Sequence, residues 1–289
     1  MDLAARPYRS VLYIPGSKER ALEKAKTLPV DAIIFDLEDA VAVEEKANAR
    51  ALLTRTLSDG GYGARAQIVR VNGAETEWGD ADLFAVMEIG PQAILLPKVE
   101  SIGQVTEVAE KLDAHPACAD TQIWAMIETP RGVLHAHVIA TAPRMSGFVL
   151  GTNDLAKDLN CRFRADRLPL QTSLQTSLLA ARAAGIVCLD GVYNAFKDDD
   201  GLRAECEQGR DLGMDGKTLI HPAQVAVTNE VFAPSEEEVD LARRQIAAFD
   251  EAEAKGLGVA VVDGKIVENL HIVTAKATLA KAEAIANMA

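Results

Sequence analysis

The sequence predicts an α/β fold, a (β/α)8 TIM barrel with a C-terminal extension of helices and a hairpin. Eight short apolar runs alternate with longer amphipathic segments along the chain. Strands that alternate with helices form right-handed βαβ units and a parallel sheet. Eight such units favour a closed barrel over an open doubly wound sheet. We expect residues 1–230 to form the catalytic barrel and residues 231–289 the extension.

The eight apolar runs are the predicted strands. The chain of 289 residues is 48% hydrophobic, which is enough for one large core, but only 4% aromatic. Its packing must therefore rest on Ala, Val, Leu and Ile, as suits helices wrapped around parallel strands. The predicted strands cover residues 10–14, 32–37, 67–71, 92–97, 122–127, 147–150, 186–190 and 217–220.

The predicted extension begins with a long helix. Pro234 and Ser235 start this helix, acidic residues fill its first turn, and Lys255–Gly256 ends it. A short hairpin follows, with Asp263-Gly264 at its turn, and a last helix is predicted from about Val273. The extension can pack on its own barrel or reach a neighbouring subunit.

Charge and composition exclude several classes of function. A net charge of -13 repels nucleic acid and anionic membranes, so we expect neither as a partner. No apolar run approaches the roughly 18 residues that span a bilayer, and no secretory signal is evident. The four cysteines lack C-x-x-C spacing, which predicts free thiols in a reduced cytoplasm.

Charged residues cluster at the predicted C-terminal ends of the strands. Residues i and i+2 of a strand share a face, so Asp36 and Glu38 point together, as do Arg70 and Asn72. In barrels this rim carries the catalytic residues. A single charge there is as often a solvated loop residue or a helix cap, but a set of six favours a shared site. The six charges are Asp36, Glu38, Arg70, Lys98, Glu128 and Asp154.

The balance of these charges predicts a divalent cation. Four carboxylates face two cations, and burying unpaired carboxylates is costly. The oxygen ligands favour Mg²⁺, or Mn²⁺, over zinc. Glu128 and Asp154 suffice as protein ligands, since Mg²⁺ usually keeps several waters and takes one or two carboxylates.

Other polar residues have competing interpretations. Ser17 is predicted to cap the first helix. His135 and His137 lie two apart on a predicted helix, so they cannot share a metal ion. We expect His221 to cap a helix rather than line the site. The basic loop at residues 161–167 fits an ordinary solvated turn or a contact for an anionic tail, and both interpretations stay open.

Eight motifs together carry a resemblance that covers nearly the whole chain, in order. The chain resembles the citrate lyase β-subunit-like and malyl-CoA lyase group of barrel enzymes. This resemblance implies a Mg²⁺-dependent enzyme acting on a short hydroxy-carboxylic acyl-CoA, assembled as a homotrimer or a hexamer. The motifs are RSVLYIPGS, IIFDLEDAV, IVRVNG, LLPKVE, WAMIETPRG, GTNDLAKDL, DGVYN and GKTLIHPAQ.

The resemblance also implies roles for individual residues. Glu128 and Asp154 match the metal ligands. Arg70 matches the residue that contacts the thioester carbonyl and the developing enolate, and Glu38 and Asp39 would position Arg70 or nearby waters. The remaining residues expected to bind substrate are Asp36, Lys98 and Asn72.

One position departs from the lyase pattern. Where the lyases carry an Asp that reaches the neighbouring subunit's active site, this chain has Glu268 in KIVENL. A shift of about 1 Å can cost roughly 10²-fold in a positioned reaction, which disfavours C–C cleavage. Within the group, the chain most resembles members that hydrolyse (3S)-malyl-CoA to malate and CoA. The alternatives are a lyase acting on malyl-, methylmalyl- or citramalyl-CoA, a citrate lyase β subunit, and a metal-free barrel.

Overall fold

The computed structural model describes residues 6–288 and contains a closed barrel of eight parallel strands in sequential order. The last strand pairs with the first, Val11 opposite Thr218, which closes the sheet. The predicted (β/α)8 fold is therefore confirmed. The strands are β1 Ser10–Pro15, β2 Ala32–Asp36, β3 Ala66–Arg70, β4 Ala93–Leu96, β5 Gln122–Ile127, β6 Met145–Leu150, β7 Val187–Asp190 and β8 Gly216–Leu219.

Helices follow the strands as predicted, and their ends reflect local capping. Ser101 and Gln104 form a capping box at the start of one helix, and Thr129 caps the next. Within residues 6–288, none of the helices combines the length and apolar character that a membrane crossing requires. The helices are α1 Glu19–Ala25, α2 Lys46–Asp59, α3 Gly79–Met87, α4 Ile102–Asp113, α5 Pro130–Ile139, α6 Thr152–Asp158, α7 Gln171–Ala184, α8 Asp199–Leu212, α9 Val225–Phe232, α10 Glu236–Ala254 and α11 Asn269–Ala286.

The predicted cap at Ser17 is wrong. Helix α1 begins at Glu19, and its N-cap is Lys18, which makes no side-chain capping bond. The Lys18 amide donates to the Pro15 carbonyl at 3.1 Å, and this turn at the end of β1 delays the helix by one residue.

The barrel interior is packed by alternate residues of the strands around one large aromatic side chain. Trp124 is fully buried there, with Tyr8 edge-on at a ring-centroid distance of 5.2 Å. A Cβ atom at Gly147 would lie 2.5 Å from the Trp124 ring, so only glycine fits opposite it. Small and branched side chains fill the rest, as the low aromatic content predicts.

Four charged side chains form a buried ionic cluster beneath β7 and β8. Lys217 Nζ lies 3.0 Å from the Asp190 carboxylate and 2.6 Å from Glu205. Arg167 Nη1 lies 2.7 Å from Asp190. Two cations and two carboxylates balance, and these contacts tie the loop before α7 to the barrel. The cluster thus accounts for one arginine of the basic loop at 161–167.

The residues from Val231 onward form a second compact unit, distinct from Tyr8–Glu230. Ser235 caps α10 through a capping box with Glu238, and Lys255 is its C-cap, as predicted. The hairpin consists of β9 Ala260–Val262 and β10 Lys265–Val267. Its turn residues, Asp263 and Gly264, both have positive φ, the requirement of a two-residue type I′ turn.

The last helix begins four residues before the predicted start. Helix α11 starts at Asn269 rather than near Val273, because Glu268 is its N-cap. The Glu268 amide donates to His271 Nδ1 at 3.0 Å, which satisfies a free amide of the first turn. Buried Val267 and Ile272 on either side of this cap pack into the small core of the unit.

We predict that the barrel's stability depends on the buried ionic cluster. Lys217→Met should lower the free energy of unfolding by about 3–5 kcal/mol, because it leaves buried carboxylates without a partner. Urea denaturation followed by circular dichroism measures this change. Lys111→Met is the matched control: Lys111 pairs with Asp80 at the surface, so its loss should cost less than about 0.5 kcal/mol. Equal losses in the two variants would contradict the prediction.

Candidate active site

A cavity of about 300 Å³ opens at the C-terminal rim of the barrel. Its lining comes from most of the strands and the loops that follow them, so it lies where barrel enzymes place their catalytic residues. Five of the residues singled out in the sequence line it: Asp36, Asp39, Arg70, Glu128 and Asp154.

A bidentate ion pair lies at the base of this cavity. Asp36 and Arg70 are register partners on β2 and β3. Arg70 Nε and Nη2 each donate to one Asp36 oxygen at 2.7 Å. The Asp36 oxygens also accept from the amides of Glu38 and Ala40. Asp36 is therefore fully engaged in orienting Arg70, and its predicted contact with substrate has no free oxygen to make it.

The remaining guanidinium nitrogen, Nη1, is the one that faces other groups of the rim. Arg70 Nη1 lies 2.8 Å from Glu38 Oε2 and 3.5 Å from Asp39 Oδ2. The guanidinium stacks on the Tyr13 ring, 4.9 Å from its centroid. Burial alone would lower the pKa of Arg70, but the Asp36 carboxylate raises it well above its usual value, so Arg70 stays charged.

Glu38 and Glu128 are carboxyl groups that the fold holds under electrostatic stress. Burial raises the pKa of each to about 7. Arg70 partly offsets the effect at Glu38, and the Lys98 amide, which donates to Glu128 Oε1 at 2.7 Å, partly offsets it at Glu128. Lys98 Nζ lies 4.0 Å from Glu38. Two nearly buried carboxyls with raised pKa values mark a site that lacks positive charge.

The predicted metal ligands fit a hard divalent cation. Glu128 follows β5 and is 2% exposed, and Asp154 lies in the first turn of α6. A Cβ atom at Gly151 would lie 2.5 Å from Glu128 Oε2, so glycine keeps the space beside this carboxylate open. Between residues 6 and 288, no three His, Cys, Asp or Glu side chains converge on a metal site. Two carboxylates leave the other positions of an octahedron to water and ligand, as Mg²⁺ prefers.

Lys46 is a residue of the site that the sequence did not point to. This buried lysine of α2 donates to the carbonyls of Leu37 and Glu38, at 2.9 and 2.7 Å, and to Asn72 Oδ1 at 2.8 Å. Burial lowers its pKa. Lys46 thereby fixes the loop that presents Glu38 to Arg70. The Asn72 amide nitrogen also donates to Leu37 and Asp82, so Asn72 braces the loop and lines a separate small cavity.

The other sequence candidates fall outside this cavity. His221 caps a short helical turn, its Nδ1 accepting from the Ala223 amide at 3.1 Å, which confirms the structural interpretation. In the basic loop, Arg164 pairs with Asp166, and Arg162 lines a second cavity of about 350 Å³. Glu268 lies in the second compact unit and is exposed.

Comparison with known proteins identifies the family. Residues 9–222 match the family model described as HpcH/HpaI aldolase/citrate lyase. A (3S)-malyl-CoA thioesterase of Cereibacter sphaeroides is 64% identical over 282 residues, covering 98% of this chain and 97% of the relative. The citrate lyase subunit beta of Escherichia coli is 37% identical, covering 96% of this chain and 94% of the relative.

A solved structure agrees with the fold and with a magnesium-dependent chemistry in this family. Protein CitE from Mycobacterium tuberculosis, in complex with magnesium, acetoacetate and coenzyme A, superposes with a TM-score of 0.80 at 30% identity. The match covers 97% of this chain and all of that one. The resemblance expected from the motifs is confirmed, and the chain belongs to the HpcH/HpaI aldolase/citrate lyase family.

Proposed function

We propose that the protein hydrolyses (3S)-malyl-CoA to (S)-malate and coenzyme A with Mg²⁺ as its cofactor. The observation that carries this proposal is the rim cavity, in which Arg70, locked by Asp36, lies beside the two carboxylates of Glu128 and Asp154. The 64% identity to a (3S)-malyl-CoA thioesterase over nearly the full chain supports the choice of substrate.

Glu128 and Asp154 would hold the cation. When bound, Mg²⁺, or Mn²⁺ in its place, supplies the positive charge that anchors the carboxylate and neighbouring hydroxyl of the acyl group. The raised pKa of Glu128 supports this role, since a nearby cation would favour the charged form of this carboxyl.

The residues of the chain then divide the work of hydrolysis. Arg70 polarises the thioester carbonyl and stabilises the oxyanion that forms when water attacks the carbonyl carbon. Glu268 of a neighbouring subunit takes the proton of that water as general base. Collapse of the oxyanion breaks the C–S bond, so that thioester and water give carboxylate, thiol and a proton. Asp39 would orient water at the mouth of the cavity, and Lys98 would attract the anionic substrate.

The proposed setting is a homo-oligomer, a trimer or a hexamer, in the cytoplasm. All four cysteines are free thiols, and three of them are buried, which suits a reducing compartment. A neighbouring subunit is needed in this proposal because Glu268 is its candidate base.

Carbon–carbon cleavage is the second candidate function. The 37% identity to a citrate lyase subunit beta favours it. In this reaction Arg70 would stabilise the enolate oxygen of acetyl-CoA while glyoxylate leaves, so the same cavity serves both chemistries.

Product analysis distinguishes the two candidates. Incubation of the purified protein with (3S)-malyl-CoA and Mg²⁺ should release free thiol and malate in equal amounts without glyoxylate. Thiol is followed with a chromogenic disulfide, and malate and glyoxylate by chromatography. A reaction with EDTA is the control and should be silent. Glyoxylate together with acetyl-CoA, and no free thiol, would replace hydrolysis by cleavage.

We predict that Mg²⁺ binding depends on Glu128 and on pH. Glu128→Gln should weaken Mg²⁺ binding on the order of 10²-fold, measured by calorimetry without substrate. Because protons compete with the cation for a carboxyl with a pKa of about 7, wild-type affinity should fall about tenfold for each pH unit below 7. The exposed Glu110→Gln variant should keep wild-type affinity. Unchanged affinity in Glu128→Gln would remove this residue from the metal site.

We predict that Glu268 acts in proton transfer rather than in binding. Glu268→Gln should lower kcat by about 10²–10⁴-fold with little change in KM, because the amide cannot accept the proton of the attacking water. Steady-state kinetics with (3S)-malyl-CoA measures both constants. Glu283→Gln, an exposed substitution in α11, is the matched control and should behave as wild type. A wild-type kcat in Glu268→Gln would refute the assignment.

A further inference from the structure

The hydroxyl of Tyr13 is a donor that the protein leaves poorly satisfied inside the rim cavity. Tyr13 belongs to β1, lines the cavity and packs on the barrel core. Among the described residues its hydroxyl has one hydrogen-bond partner, the Met126 sulfur, at 3.9 Å. A thioether is a weak acceptor, so this phenol keeps most of its capacity to donate to a ligand.

A second donor points at the same sulfur atom. Arg70 Nη1 donates to Met126 Sδ at 3.5 Å, while Nε and Nη2 are held by Asp36. The free edge of the guanidinium and the Tyr13 hydroxyl therefore converge on one point of the cavity. A ligand oxygen near that point would be a better acceptor for both donors than sulfur, and two donors converging on one oxygen are the geometry of an oxyanion hole.

The charge on Arg70 gives a reason for the second donor. Arg70 contacts Asp36, Glu38 and Asp39, so neighbouring carboxylates offset much of its positive charge. A neutral hydroxyl adds a donor without adding another ion to a site already crowded with charges. Burial raises the pKa of Tyr13, which keeps the hydroxyl protonated across the working pH range.

We propose that the Tyr13 hydroxyl is a catalytic donor, acting beside Arg70 on the thioester carbonyl oxygen of the substrate. The inference rests on the proposed function and extends it by naming the second half of the oxyanion site. Water adds to the carbonyl carbon, the carbonyl π electrons move onto oxygen, and Tyr13 and Arg70 donate to that oxygen. When the C–S bond breaks, the electron pair on oxygen re-forms the carbonyl and the thiolate takes up a proton.

The competing explanation is that Tyr13 only packs against Arg70. The ring lies 4.9 Å from the guanidinium, close enough for a cation–π contact that would hold the arginine in place. Phenylalanine keeps that ring and removes only the hydroxyl, so Tyr13→Phe separates the two roles.

Steady-state kinetics of Tyr13→Phe on (3S)-malyl-CoA tests the proposal. We expect kcat to fall by about 100-fold, as for loss of one oxyanion donor, with KM within about threefold and Mg²⁺ affinity unchanged. Tyr62→Phe is the matched control: its hydroxyl is buried outside the cavity and donates to the Leu22 carbonyl, so its kcat should equal that of wild type. A wild-type kcat in Tyr13→Phe, with loss only in Tyr13→Leu, would show a packing role and overturn the proposal.

A second readout keeps this test independent of the reaction catalysed. Carbonyl-¹³C acetyl-CoA bound to the Mg²⁺-loaded protein should show a carbonyl stretch shifted to lower frequency, and Tyr13→Phe should reduce that shift. An unchanged stretch in the variant would overturn the Tyr13 assignment. If wild type gives glyoxylate in place of thiol, hydrolysis fails as the function, whereas the Tyr13 assignment still requires the kcat loss, because the same oxygen gains charge in the enolate.

Discussion

The buried pair of Asp36 and Arg70 is the constraint on which the site depends. A guanidinium at this depth must be paired, because leaving it alone in the protein interior is costly. The pair uses two of the three guanidinium nitrogens and places both side chains on adjacent strands in register. Only Nη1 is left for other partners, and its direction is fixed by the sheet rather than by a flexible loop. Arg70 therefore meets a ligand with one defined nitrogen.

The second consequence of that pair concerns the loop after β2. Asp36 accepts amides from Glu38 and Ala40, and Lys46 holds the carbonyls of the same segment from the other side. The loop is thus held by its backbone, which leaves the Glu38 carboxylate free to contact Arg70. The aspartate is not available to substrate because it performs this double task, and its position, two residues before Glu38 on the same face, is what makes the task possible.

Two charged clusters in the barrel differ in whether the protein completes them. At Asp190, burial would raise the pKa, but Lys217 and Arg167 together lower it, so that cluster is neutral and self-sufficient. At Glu128, burial raises the pKa and the nearby donors do not overcome it. The first cluster supports the fold. The second lacks positive charge, which is the electrostatic reason to assign the cation and the anionic substrate to this end of the barrel.

The sequence could predict the barrel and the rim because both follow from periodicity: strands repeat every two residues, and charges that end them collect on one edge. It could not predict that Asp36 would be taken up by Arg70, since a shared face does not define a pairing geometry. Lys46 gave no pattern because its partners are mostly backbone carbonyls, and Tyr13 reads as an ordinary strand residue until Met126 and Arg70 are seen around its hydroxyl. The caps at Lys18 and Glu268 escaped prediction for a related reason, since local turns rather than residue preference set those helix starts. What periodicity encodes is direction, whereas the chemistry of this site depends on which donors converge on one point, and that is a property of side chains brought together from β1, β3 and β5.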